Sequence, residues 1–142
     1  MARRTSEATW KGTLQDGTGK MQLGSGAFEG SYSFESRFEN GAGTNPEELI
    51  AAAHAGCFSM ALSHALEEAG YKPESIHTKA HVSIEKAGEG FQITTIELET
   101  EGNVPNIEAE AFEKQAEAAK EGCPVSQALA GAKIELSARL AG

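Results

Sequence analysis

The chain has 142 residues, 39% of them apolar and 23% charged, and a formal net charge of −9 at pH 7. That length suits one domain with room for a real core, so a single domain over residues 1–142 is expected. The acidic balance argues against nucleic acid or an anionic membrane surface as a partner, because both need clustered Lys and Arg, and here only Arg3-Arg4 are adjacent.

No apolar stretch follows the charges of Met1-Ala2-Arg3-Arg4-Thr5-Ser6-Glu7, as a secretory leader requires. The longest apolar stretch, Leu49 to Leu66, is Ala-rich and interrupted by His54, Ser59, Ser63 and His64, which reads as short of a membrane span. A cytoplasmic location is the expectation. In that compartment the two cysteines, Cys57 and Cys123, are free thiols or a cycling pair rather than a permanent bridge.

Ala8-Thr9-Trp10-Lys11-Gly12 and Lys20-Met21-Gln22-Leu23 read as short strands, separated by the turn signal Gln15-Asp16-Gly17. Ser31-Tyr32-Ser33-Phe34-Glu35 alternates as a strand, with Tyr32 and Phe34 on one face. It leads through Arg37-Phe38 into the Gly-rich loop Asn40-Gly41-Ala42-Gly43. A helix then opens on Asn45 as N-cap, with Pro46 in the first helical position and Glu48 completing a capping-box pattern. Gly70 ends it and Pro73 prevents its resumption, so it spans roughly 24 residues, or about 36 Å.

Two strands follow. Ile76 to Ile84 places Ile76, Ala80, Val82 and Ile84 opposite His77, Lys79 and His81, with Glu85 continuing the polar face. In Phe91 to Glu99 the apolar register shifts at Thr94-Thr95, which predicts a bulge, and Ala87-Gly88-Glu89-Gly90 joins the two strands as a hairpin. A second helix is expected from about Glu108 to Glu121, opened by Pro105-Asn106 and closed by Gly122. A short helical turn follows from Pro124 to Leu129, then a last strand with Ile134, Leu136, Ala138 and Leu140 on one side.

The fold class is therefore α+β, with antiparallel sheets around two helices, one of them long, central and buried. The long helix is apolar nearly all round from Leu49 to Leu66. A few short strands cannot cover such a cylinder, and a monomer rarely keeps the remainder exposed, so a two-fold homodimer that buries this helix is expected.

A thiolate is the strongest nucleophile among the side chains, a soft metal ligand and a two-electron redox centre, so the two cysteines are the first candidates for chemistry. Cys57 lies mid-helix beside Gly56, and a helical glycine predicts a close approach by another element at that level. Cys123 sits between Gly122 and Pro124, just before a helix start whose partial positive charge favours a thiolate. Packing alone would also account for both, since free cysteine behaves as a small hydrophobe.

Three other readings stay open at this level. His54, Cys57 and His64 can share a helical face and, with Cys123, make a tetrahedral metal site. A cysteine hydrolase would use His54 or His81 as base. A dimer cleft binding an apolar ligand would need no thiol. Arg37, between a strand and a Gly-rich loop, is a candidate cation for a thiolate. Glu47, in the first turn of the long helix, favours the helix dipole.

Arg37-Phe38, Gly43-Thr44-Asn45-Pro46-Glu47-Glu48-Leu49, Ala53-His54-Ala55-Gly56-Cys57-Phe58-Ser59-Met60-Ala61-Leu62 and Gly122-Cys123-Pro124-Val125-Ser126 closely resemble the OsmC/Ohr family in order and spacing, and within it the OsmC branch. The resemblance covers essentially the whole chain. It implies an intertwined α+β homodimer with active sites at the interface, and a cysteine-based peroxidase serving oxidative and osmotic stress defence. It also implies an organic hydroperoxide as substrate, hydrogen peroxide as a further one, and a dithiol reductant of the lipoyl type. By position, Cys57 matches the peroxidatic cysteine, Cys123 the resolving cysteine, Arg37 the arginine that holds the thiolate, and Glu47 the acid that holds the arginine. No haem, flavin or metal is implied.

Helix geometry adds one constraint of its own. Glu47 and Cys57 are ten residues apart, hence about 15 Å along one helix axis. Either Arg37 bridges that gap or Glu47 serves the site of the other subunit, and we expect the second.

Overall fold

The computed structural model describes residues 1–141, and its first three strands, β1 (Ser6–Lys11), β2 (Thr18–Leu23) and β3 (Glu29–Tyr32), form an antiparallel sheet in that order. Gly19 of β2 lies opposite Trp10 on one side and Tyr32 on the other. The two rings close over it with their centroids 5.3 Å apart. A Cβ at Gly19 would fall 2.5 Å from the Tyr32 ring and 2.6 Å from that of Trp10, so the aromatic pair depends on the missing side chain.

The strand expected over Ser31–Glu35 stops at Tyr32, and a short helix, α1 (Phe34–Phe38), replaces its second half. The cause is a reciprocal cap: Ser36 N–H donates to the Ser33 hydroxyl, and Ser33 N–H donates to the Ser36 hydroxyl. Two serines three apart outcompete the alternating pattern.

The long helix, α2 (Pro46–Glu68), starts where expected. Glu48 N–H donates to Asn45 Oδ1 at 2.7 Å. The capping box is only half formed, because the Glu48 carboxylate instead accepts from the Thr44 hydroxyl at 2.7 Å. At the far end Gly70, at φ +96°, closes a Schellman motif in which Tyr71 N–H reaches Leu66 O and Gly70 N–H reaches Glu67 O.

β4 (Ser75–Ala87) and β5 (Gly90–Asn103) form the expected hairpin. Ser83 pairs with Thr95 and Ile84 with Ile93, so Thr94 is the bulged residue that the register shift predicts. After α3 (Ala109–Gly122) and α4 (Pro124–Ala128) comes β6 (Lys133–Leu140). β6 joins β5 in parallel, which corrects the expectation of purely antiparallel sheets. The helical crossover returns the chain to the end from which β5 began, as a parallel neighbour requires.

The chain divides into two compact units, Met1–Leu49 and Ile50–Gly142. The second holds the apolar core: Phe58, Leu62 and Leu66 of α2, Ile96 and Leu98 of β5, and Phe112, Ala116 and Ala119 of α3. Gly102 belongs to this packing, since a Cβ there would lie 2.5 Å from the buried Phe112 ring.

By length and apolar content α2 is long enough to cross a membrane, contrary to the shorter reading of its sequence. Its fully buried His54, Phe58, Leu62 and Leu66 make it a core helix of the second unit. Within one chain only that face is covered. Met60 is 76% exposed, and nothing lies within 4 Å of a Cβ built at Gly56, so the close approach expected there is not made among the described residues.

Candidate active site

Cys57 lies at the midpoint of α2, three residues after the buried His54. Cys123 closes α3 by donating its N–H to Ala119 O, and it is also the N-cap of α4, where Pro124 cannot extend the preceding helix. That double role fixes its backbone. Both cysteines are free, and Cys123 Sγ lies 2.9 Å from Cys57 Sγ. Cys123 is fully buried, whereas Cys57 is partly open to solvent.

Two thiols this close share their charge. For Cys57, burial and the hydrogen bond with Cys123 push its pKa up, outweighing the Val125 N–H that favours the thiolate. For Cys123, burial works against the thiolate. Hydrogen bonding from Cys57, from the N–H and hydroxyl of Ser126 and from the Val125 N–H overcomes it and brings the pKa below that of an ordinary thiol.

One turn away on each side a second pair meets. His54 Nε2 lies 2.7 Å from Ser126 Oγ, with both side chains buried. The pairing escaped the sequence reading because the two residues are 72 positions apart. A signal was present in the spacing: His54 precedes Cys57 by three and Ser126 follows Cys123 by three. If the thiols meet at facing helical turns, so can their neighbours one turn on.

In the first unit, Arg37 and Glu47 form a bidentate pair. Arg37 Nε donates to Glu47 Oε1 and Arg37 Nη2 to Glu47 Oε2, each at 3.0 Å. Glu47 is buried, and the guanidinium also lies 5.1 Å from the centroid of the Phe38 ring. Asn45 helps to frame this corner by donating to Ser36 O at 2.9 Å. Arg37 stands in the last turn of α1 rather than at a strand end. A planar fork held at two oxygens and against a ring has little freedom to turn.

The remaining histidines do not join the thiols. His64, on the open side of α2, lies 4.0 Å from Glu68. His81, on the polar face of β4, is bonded to Glu99 of the neighbouring strand. No group of three or more His, Cys, Asp or Glu side chains converges as a metal site among the described residues. The four-residue ligand set and the His81 base are therefore not assembled here.

An α+β fold that brings two free thiols together at a helix junction defines a thiol redox protein. The sequence profile of the OsmC-like protein family matches residues 39–137. The chain is 50% identical over 127 residues to the protein named Peroxiredoxin OsmC of Escherichia coli K12, covering 89% of each. It is 34% identical over 103 residues to the organic hydroperoxide resistance protein OhrB of Bacillus subtilis 168, covering 69% of this chain and 73% of that one. The crystal structure of the Bacillus subtilis OhrB superposes with a TM-score of 0.72 and 26% identity, covering 96% of this chain and 98% of that one. The chain belongs to the OsmC-like family.

Proposed function

We propose that the chain is a cysteine-based peroxidase that reduces organic hydroperoxides to alcohols in stress defence. The observation that carries this reading is the approach of the two free sulfurs to 2.9 Å, with only Cys57 reachable from solvent. Kinship with a protein named Peroxiredoxin OsmC and with one named for organic hydroperoxide resistance supports it. In this reading the Cys57 thiolate attacks one peroxide oxygen, the O–O bond breaks, an alcohol leaves, and Cys57 becomes a sulfenic acid. Cys123 attacks that sulfur, water is released, and a disulfide forms. An external dithiol, of the lipoyl type by family resemblance, resets the pair.

Arg37 and Glu47 complete the site in this proposal. Burial and the neighbouring Cys123 sulfur both oppose a thiolate at Cys57, so a cation is needed to hold one there. The rigidly held Arg37 is suited to stabilise that thiolate and to polarise the peroxide oxygens. Glu47 and Cys57 stand about 15 Å apart along α2, which supports delivery of the Arg37–Glu47 pair to the Cys57 of a partner chain. A homodimer is further supported by the open apolar face of α2. The family match runs across the boundary between the two units, which supports one working domain.

The test is stoichiometric. Titrating the reduced protein with cumene hydroperoxide should remove two thiols per chain, with recovery on adding a dithiol. Cys57→Ser should abolish turnover, a loss of at least roughly a thousandfold. Cys123→Ser should permit one oxidation and then stall or over-oxidise. Full multiple turnover by Cys57→Ser would reject the mechanism.

A further inference from the structure

Arg37 stands on a helix too short to hold its own shape. α1 has five residues, and a helix of little more than one turn does not repay its own nucleation. Its support comes from Thr44 and Asn45, the two residues before α2. The buried Ser36 hydroxyl accepts from Ser33 N–H and donates to Thr44 O, each at 2.8 Å. Thr44 N–H donates in turn to Ser31 O of β3 at 2.8 Å. The loop reaches this position through Gly43, at φ +114°, where a Cβ would lie 2.6 Å from Ser31 O.

The carboxamide of Asn45 spans two helices. Its Oδ1 accepts from Glu48 N–H at 2.7 Å in the first turn of α2, and its Nδ2 donates to Ser36 O at 2.9 Å in α1. Turning the amide over would set donor against donor and acceptor against acceptor, so the network fixes its orientation. Capping α2 needs only the oxygen, which a serine supplies equally well. The nitrogen does something a cap does not require. Ser36 precedes Arg37 by one residue and Asn45 precedes Glu47 by two. The tie therefore sets the separation of the two backbones that carry the ion pair.

We propose that Asn45 and Ser36 are positioning residues for Arg37, clamping α1 to the start of α2 so that the guanidinium meets Glu47 through Nε and Nη2 at once and is presented in one direction. The proposal rests on the reading above that Arg37 serves a Cys57 thiolate. The two hydrogen bonds to Glu47 fix the guanidinium plane against the carboxylate. The clamp fixes the helix from which that side chain extends.

Three variants separate this role from simple stabilisation. Asn45→Ser keeps an oxygen to cap α2, is too short to reach Ser36 O, and adds no charge beside Arg37. Ser36→Ala removes the link to Thr44 O. Gly102→Ala, beside Phe112 in the second unit, costs stability away from the clamp. Exchange of the Arg37 Nε–H with water is followed by nuclear magnetic resonance, the signal being assigned by its loss in Arg37→Lys. Turnover of cumene hydroperoxide is measured on the same proteins. In Asn45→Ser and Ser36→Ala, exchange should quicken about tenfold and kcat/KM should fall about tenfold, the scale of one buried hydrogen bond left unmade. The urea midpoint of Asn45→Ser should stay near that of the unaltered chain, because its cap is kept. Gly102→Ala should do the reverse, with a lower midpoint and unchanged exchange and kcat/KM.

Exchange unaltered in both clamp variants, or an Arg37 Nε–H already unprotected in the unaltered chain, would overturn the proposal. So would quickened exchange with kcat/KM intact where Arg37→Ala is inactive. If Arg37→Ala keeps full kcat/KM, or the unaltered chain loses no thiol to peroxide, the catalytic reading of Arg37 fails instead. The exchange rates alone then decide whether Asn45 and Ser36 position it.

Discussion

From Ile50 onward the chain buries Phe58, Leu62, Ile96, Phe112 and their neighbours completely or nearly so, whereas no apolar side chain of residues 1–49 is buried. Ser36, Thr44 and Glu47 are the buried polar residues of that first unit, and Glu47 is held by Arg37. The thiols thus sit against a close-packed core, and the cation sits in a unit whose best-made feature is an ion pair. A buried ion pair contributes little net stability and strongly penalises loss of one partner. A three-stranded sheet without a buried apolar face has little to hold it folded alone. The contrast teaches that the first unit holds its ion pair without an apolar core of its own and leaves its aromatics half-exposed. In our reading it presents Arg37 and is covered by another surface, that of a second copy of the chain.

The largest expected effect breaks the pair in the coreless unit. Arg37→Ala should cost roughly a hundredfold or more in kcat/KM for cumene hydroperoxide, and Arg37→Lys should recover only a small part, because an ammonium cannot make the bidentate contact to Glu47. Steady-state kinetics check this, and wild-type rates in Arg37→Ala would remove Arg37 from the site.

Two glycines then probe how firmly each unit is packed. Gly102→Ala drives a methyl to 2.5 Å from the immobile Phe112 ring, so a loss of about 2 kcal/mol in urea unfolding is expected. Gly19→Ala meets the Tyr32 and Trp10 rings as closely, but both are half-exposed and can swing aside. Its cost should stay under about 1 kcal/mol. Equal costs would mean that the first unit is packed as tightly as the second.

Gly56→Ala tests the open face of α2. With nothing within 4 Å, alanine should stabilise an isolated chain by roughly 0.5–1 kcal/mol through helix propensity. If a partner covers this face closely, the same substitution should instead weaken the dimer, as sedimentation across a dilution series would reveal.

The smallest effect concerns His54. Its pKa is lowered by burial in the folded state, against an unfolded value near 6.5. The unfolded chain therefore binds the extra proton first as pH falls, so this contribution is present above about pH 6.5 and is lost as pH falls from there through the folded-state pKa. Urea midpoints measured across that range should slope downward with acid, and His54→Gln should flatten the slope.

Local signals carried most of the fold. Asn45-Pro46, Gly70 and the register shift at Thr94-Thr95 each act through neighbours in sequence, and each formed the feature it predicts. The failures have physical causes of two kinds. At Ser33–Ser36 a reciprocal cap competed with a strand pattern equally well written in the residues. The parallel placement of β6 and the meeting of His54 with Ser126 depend on where the α3–α4 crossover lands, which no local pattern encodes. A helical glycine predicts a close approach by another element at Gly56, yet among the described residues nothing lies within 4 Å of a Cβ built there.

A complementation experiment tests the division of labour most directly. Arg37→Ala retains Cys57, and Cys57→Ser retains Arg37, so each is expected to be inactive alone. Mixed after partial unfolding and refolding together, they should recover about a quarter of wild-type peroxidase activity, since half the dimers are mixed and each has one intact site. Recovery at that level places Arg37 of one chain at the Cys57 of its partner. No activity above the separate variants, with mixed dimers verified by mass, would contradict it.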